Sequence, residues 1–133
     1  MAMEKILENA AEILLLLFLI IVFLQSSIDK VFDWAGNLSW LKEHFSGTPL
    51  SNIVPILLMI VLLTEMVSSV LCTIGLYQIA FFNENTLAFY GALLSCLSLL
   101  MLLFGQRVAK DYEGAKTIAV YFMPAAFLVY LLQ

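Results

Sequence analysis

The chain has 133 residues, 63% of them hydrophobic and 12% charged, with a mean hydropathy of +1.02, whereas soluble domains run at about 45–50% apolar and about 25% charged. This composition describes one small multi-pass membrane domain and excludes a secreted disulfide scaffold or an enzyme built on a large soluble domain. The net charge of −4 is spread thinly and leaves no basic tract for RNA or DNA, so no nucleic-acid partner is expected.

A bilayer core about 30 Å thick asks for about 20 helical residues per crossing, and four apolar runs are legible. The expected fold is all-α: a four-transmembrane-helix bundle forming a single domain over 1–133, with helices near 8–31, 53–79, 87–104 and 116–132. The first run, Ile13 to Leu24, reaches full span when Ala10, Ala11 and the stretch from Gln25 to Val31 extend it. A secretory leader fits poorly, because Glu4, Glu8 and Glu12 stand against Lys5 and no small-x-small pair closes the run.

The connection that follows carries Trp34, Leu38, Leu41 and Phe45 at helical spacing, with Lys42, Glu43 and His44 on the other side and Asn37 as a cap. It reads as a short amphipathic helix over about 37–45, lying along the membrane interface with Trp34 and Trp40 as aromatic anchors. Ser46-Gly47-Thr48-Pro49 then turns the chain back. The second run opens with Pro55 in its first turn, where the missing N–H is tolerated. Asn83 to Asn85 form the next turn, the third run is Leu87 to Phe104, and Gly105 to Lys116 form the last loop. The fourth run ends at Gln133, which leaves that helix little room to tilt.

Four crossings place both termini and the Asn83–Asn85 turn on one face, with Lys5, and the other two loops on the opposite face, with Lys30, Lys42, Arg107, Lys110 and Lys116. The positive-inside bias assigns the second face to the cytoplasm. Asp29, Asp33, Glu43, Asp111 and Glu113 on the same loops cancel the local field, so that face is no strong anion or acidic-lipid site.

The chemically capable residues gather toward that face. Gln25, Ser26, Asp29 and Lys30 end the first helix, Gln106 and Arg107 end the third, and Tyr121 sits a turn into the fourth. Glu65 lies about 16 Å into the second helix, where a carboxyl is costly and points to function. Burial disfavours its charged form, so Glu65 is expected to be neutral and hydrogen-bonded to a serine or tyrosine of a neighbouring helix unless Lys30 or Arg107 reaches it. Ser68, Ser69, Cys72 and Gly75 continue one face from Glu65, and Gly91, Ser95, Ser98 and Gly105 answer on the third helix. Such stripes chiefly let helices pack closely. The candidate polar pocket is therefore Gln25, Ser26, Asp29, Lys30, Glu65, Ser69, Gln106, Arg107 and Tyr121. The candidate partner surface, mixing aromatic and charged groups, is Trp34, Trp40, Lys42, Lys110 and Tyr112.

His44 is the sole histidine, so bis-histidine haem ligation within the bundle is excluded for this chain alone. No cluster has zinc or iron spacing, and no metal is expected. Cys72 and Cys96 form no C-x-x-C pair and read as small packing residues. A phosphate-binding glycine loop is absent as well.

Three segments carry a resemblance. Phe23-Leu-Gln-Ser-Ser-Ile-Asp-Lys-Val-Phe32, followed by Gly-Asn-Leu-Ser-Trp-Leu-Lys from Gly36, resembles the end of the first helix in the DoxX family. Glu65 with its stripe to Gly75, and Phe104-Gly-Gln-Arg-Val-Ala-Lys-Asp-Tyr112, resemble that family's second helix and last loop. The resemblance covers essentially the whole chain. Lys30 matches the family's lysine after a serine and an aliphatic residue, and Ser27 departs from a frequent glycine. The family is named for the small membrane subunit of a thiosulfate:quinone oxidoreductase, so the resemblance implies a membrane redox setting more firmly than a reaction.

Three functions stay open: a non-catalytic accessory or anchoring subunit of a quinone-linked membrane oxidoreductase, a structural subunit of a non-redox membrane assembly, and a binder of quinone, lipid or small solute with its pocket around Glu65. On the first two readings the chain is not an enzyme by itself. The expected setting is the bacterial inner (cytoplasmic) membrane, with lipid and other protein subunits as partners. No cofactor is expected on the chain's own ligands, and a quinone or lipid is the group it could hold.

Overall fold

A computed structural model describes residues 2–133, and among them the regular structure is helical throughout. Four helices are long and apolar enough to cross a bilayer: α2 (Ala10–Phe32), α4 (Val54–Phe82), α5 (Thr86–Val108) and α6 (Tyr112–Leu132). The chain is an integral membrane protein. Two shorter helices, α1 (Ala2–Glu8) and α3 (Trp34–His44), precede and follow α2, and a single 3-10 turn at Ser51–Ile53 leads into α4.

The core is made by the helix faces that carry small residues. Glu65, Ser68, Ser69, Cys72 and Gly75 are all buried along α4, as are Ala88, Gly91, Ala92, Ser95 and Ser98 on α5. A Cβ at Gly75 would stand 2.5 Å from the Ala88 backbone, and one at Gly91 would stand 2.9 Å from the Cys72 nitrogen. Both glycines therefore set the α4–α5 separation. Two of these four serines hydrogen-bond their own helix: Ser69 donates to the Glu65 carbonyl at 2.8 Å and Ser95 to the Gly91 carbonyl at 2.7 Å. This pattern lets a hydroxyl sit in an apolar interior. Leu16, Leu19 and Phe23 of α2 and Leu128 of α6 complete the core. Outward residues such as Ile21, Ile56, Leu63 and Phe127 remain exposed on the perimeter, as helices facing hydrocarbon require.

The two ends of the bundle are closed differently. At one end Lys5 Nζ donates to the Phe81 carbonyl, Asn9 donates to Asn83 Oδ1 at 3.0 Å, and Asn85 donates to the Leu132 carbonyl at 3.2 Å. Both terminal segments and the α4–α5 turn thus meet at that end. Asn83 closes α4 in the left-handed region at φ 53°, a conformation asparagine tolerates. The Glu84 carboxylate accepts from the Thr86 hydroxyl and backbone N–H at the start of α5, and these bonds hold its carboxyl below the usual range. The opposite end carries α3 and the α5–α6 turn.

Several boundaries differ from those read in the sequence, each for a local reason. Asn9 breaks the first helix by donating to the Lys5 carbonyl at 2.9 Å, so α1 separates from α2. The cap of α3 is Asp33, whose carboxylate accepts from Gly36 N at 3.3 Å. Asn37 sits a turn inside that helix and donates to the Asp33 carbonyl at 2.8 Å. Asp111 caps α6 by accepting from Gly114 N at 2.9 Å, which starts that helix at Tyr112, four residues before the expected start at 116. Loss of such a cap costs about 1 kcal/mol. With α5 running on to Val108, Gln106 and Arg107 are helical, and the expected twelve-residue loop shrinks to a turn at 109–111.

Candidate functional site: a buried ion pair between two cavities

The site begins with the direction of one side chain. Cα–Cβ bonds of a helix tilt toward its N-terminus, so a lysine in the last turn of α2 points back into the bundle. Lys30 Nζ accordingly donates to Ser26 Oγ, one turn deeper, at 2.6 Å. It also lies 2.9 Å from Glu65 Oε1, with the carboxylate side chain only 2% exposed. The approach is off the direction a hydrogen bond needs, so Oε1 has a counter-charge but no aligned donor. The expected serine or tyrosine partner of Glu65 is thus replaced by Lys30. Helix length helps to explain the reach: the 29 residues of α4 span about 43 Å, more than a bilayer core of about 30 Å. Part of α4 therefore extends beyond the core, so a count from the helix start does not fix the depth of Glu65.

The candidate pocket residues divide between two cavities. Gln25, Ser26, Glu65 and Tyr121, with Phe23, Leu99, Leu102 and Ile118, border a cavity of about 390 Å³ between α2, α4, α5 and α6. Lys30 and Gln106, with Trp40, His44, Leu57 and Phe104, border a second of about 370 Å³ beneath α3. Leu102 borders both, so the Lys30–Glu65 pair spans the wall between them. The other three candidates border neither cavity. Ser69 is committed to the α4 interior, Asp29 accepts from Asn37 at 3.4 Å, and Arg107 stacks over the Tyr112 ring at 4.8 Å to the centroid. Arg107 shares the C-terminal position of Lys30 on its own helix, yet its guanidinium is held by this aromatic ring.

His44 was placed on the outer side of α3 by its polar neighbours in sequence, and the structure places it inward. Its Nε2 is 2.8 Å from Gln106 Oε1 and 3.7 Å from Asp111 Oδ2, and Trp40 stacks on its ring with centroids 4.5 Å apart. The spacing Asn37, Leu41, His44 was the available signal, since i, i+4, i+7 shares one helix face. Of the candidate partner surface, Trp40, Lys42, Lys110 and Tyr112 are exposed and Trp34 is partly covered. Lys110 takes a left-handed conformation at φ 60° in the α5–α6 turn. No group of three or more His, Cys, Asp or Glu that could hold a metal occurs among the described residues. Cys72 and Cys96 are both free thiols.

Comparison of the chain with protein-family models, with curated proteins and with solved structures finds no match.

Proposed function

We propose that this chain is a DoxX-like membrane protein acting as a non-catalytic accessory or anchoring subunit of a quinone-linked oxidoreductase in a bacterial cytoplasmic membrane. One observation supports this reading above the others. The three segments that carry the resemblance lie far apart in sequence and converge in space. Lys30 of the first pairs with Glu65 of the second, and Gln106 of the third borders the same cavity as Lys30. Lys42, Lys110 and Tyr112 remain exposed at the same end, available as the rim of a docking surface, with α3 along the membrane interface.

Mass spectrometry of everything co-purifying with the tagged chain in mild detergent tests the reading, and stoichiometric redox subunits are the expected result. Reversal at Lys42→Glu or Lys110→Glu is expected to weaken that association about five-fold while the helical content stays unchanged. A stable monomer without partners from native membranes would sink the subunit reading.

A second reading, a self-contained binder of quinone, lipid or small solute, is favoured by the cavity of about 390 Å³ in which Gln25, Ser26, Glu65 and Tyr121 face apolar walls. Cavities of this size and mixed lining hold small ligands. A small molecule retained without any polypeptide would select it.

The five cations at the α3 end against Lys5 at the other favour a cytoplasmic α3. A reporter fused at Gln133 is expected on the non-cytoplasmic side and one inserted at Glu113 in the cytoplasm. The reverse pattern would show that partners, not charge, orient the chain.

A further inference from the structure

We propose that the cavity bordered by Glu65 takes a neutral lipid with a hydroxyl head, whose O–H donates to the Glu65 carboxylate. This rests on the reading of the chain as a self-contained binder, and it narrows the quinone, lipid or small solute of that reading to one class, a ligand that brings a donor.

Hydrogen bonding points to a donor on the ligand. A carboxylate accepts at about four lone-pair sites. Lys30 meets Oε1 at 2.9 Å and supplies its counter-charge, yet Oε1 is left without a hydrogen bond, although Gln25, Ser26 and Tyr121 border the same cavity. Glu65 is 1% exposed, and a buried acceptor without a donor is costly. Charge, in turn, points to a neutral head. Glu65 is the charged residue bordering this cavity, and Lys30 already balances it. An anion would be repelled by the carboxylate, and a cation would leave a positive charge in excess within an apolar interior. A ketone, ester or ether brings acceptors alone and offers the carboxylate nothing.

Shape and access point to an apolar chain that arrives from the bilayer. Phe23, Leu99, Leu102 and Ile118 make the walls apolar. Ile21 and Gln25, one turn apart on α2, border the cavity and are also exposed on the outer surface, Ile21 by 69%. Ile118 and Tyr121 border it from α6. The cavity therefore opens sideways between α2 and α6, where lipid lies, and the exposed Gln25 amide gives that mouth a polar edge. About 390 Å³ falls within the range of small-ligand sites, about 300–1,000 Å³. It holds the head and the first carbons of a chain whose remainder lies in hydrocarbon.

The test uses the full chain in phosphatidylcholine nanodiscs. The probe is a hexadecanol carrying a photoreactive diazirine in mid-chain, and its methyl ether, which lacks the donor, is the counterpart. Mass spectrometry locates the label. The wild type is expected to be labelled on α2 and α6 roughly ten- to a hundredfold more by the alcohol than by the ether. Lys30→Met with Glu65→Leu, which removes the acceptor and leaves no buried charge unpaired, is expected to bring the alcohol down to the level of the ether. Lys30→Met with Glu65→Gln keeps a carbonyl acceptor and is expected to keep part of the preference. Val22→Phe, which fills the cavity from α2 and spares Glu65, is expected to reduce both labels. Displacement of the alcohol by dioleoylglycerol would support the hydroxyl head and assign the site to a neutral glycerolipid, and displacement by unmodified hexadecanol alone would assign it to a free long-chain alcohol. Equal labelling of the wild type by alcohol and ether, or a preference that survives Glu65→Leu, would overturn the proposal while leaving the cavity a lipid site. Labelling of α2 and α6 by neither probe would overturn it together with the binder reading.

Discussion

Replacing Lys30 by methionine alone is expected to destabilise the bundle by about 3–5 kcal/mol, because it leaves the Glu65 carboxylate buried without a counter-charge. Glu65 is 1% exposed and flanked by the α4 stripe, so water offers little substitute. The combined change of Lys30→Met and Glu65→Gln is expected to recover most of the loss, since removing both partners of a buried pair is often close to neutral. Thermal unfolding followed by circular dichroism in detergent measures both. A loss in the double change equal to the sum of the Lys30→Met and Glu65→Gln losses would mean that the two side chains act independently and that the 2.9 Å approach carries no coupling.

Gly75→Ala is expected to cost about 3 kcal/mol or more, at or beyond the upper end of ordinary overpacking. The added methyl would meet the Ala88 backbone at 2.5 Å, and a backbone cannot change rotamer to relieve it. The two helices would have to part along the interface that holds the core together. Gly105→Ala is the internal control: its methyl would meet only the Phe45 ring, at 3.4 Å, so the change should stay within about 0.5 kcal/mol. Comparable losses at the two positions, by the same unfolding measurement, would refute close packing as the role of Gly75.

The apolar runs made four long helices legible, since no other structure satisfies the backbone within hydrocarbon except a closed barrel. The small-residue stripe was legible too, by its helical spacing from Glu65 to Gly75. What was not legible was the partner of Glu65. That partner depends on how far the α2 end lies below the α4 start, a tertiary offset that no local pattern encodes. Lys30 and Arg107 occupy equivalent places at their helix ends, and only the neighbouring Tyr112 ring distinguishes their fates. His44 was misplaced for a related reason: polar character argued for the outer face, while Gln106, sixty-two positions away in the chain, offers it an inner partner. The caps at Asp33 and Asp111 lay in plain sight, but apolar runs understate helices whose first turn is polar.

The hydrogen bonds that close the end of the bundle bearing α1 also fix an order of events in time. Asn9 meets Asn83 across 74 positions, and at about 5–20 residues per second of synthesis the interval between the two is about 4–15 s. Throughout that interval α1, with its acidic residues, has no partner to hold it. Asn85 then waits a further 47 positions for the Leu132 carbonyl. This end of the molecule is therefore sealed only after α6 has been made. The α3 end can close earlier, once Gln106 and Asp111 have appeared beside His44, and while the bundle is assembling it is the opposite end that stays accessible to insertion factors and proteases.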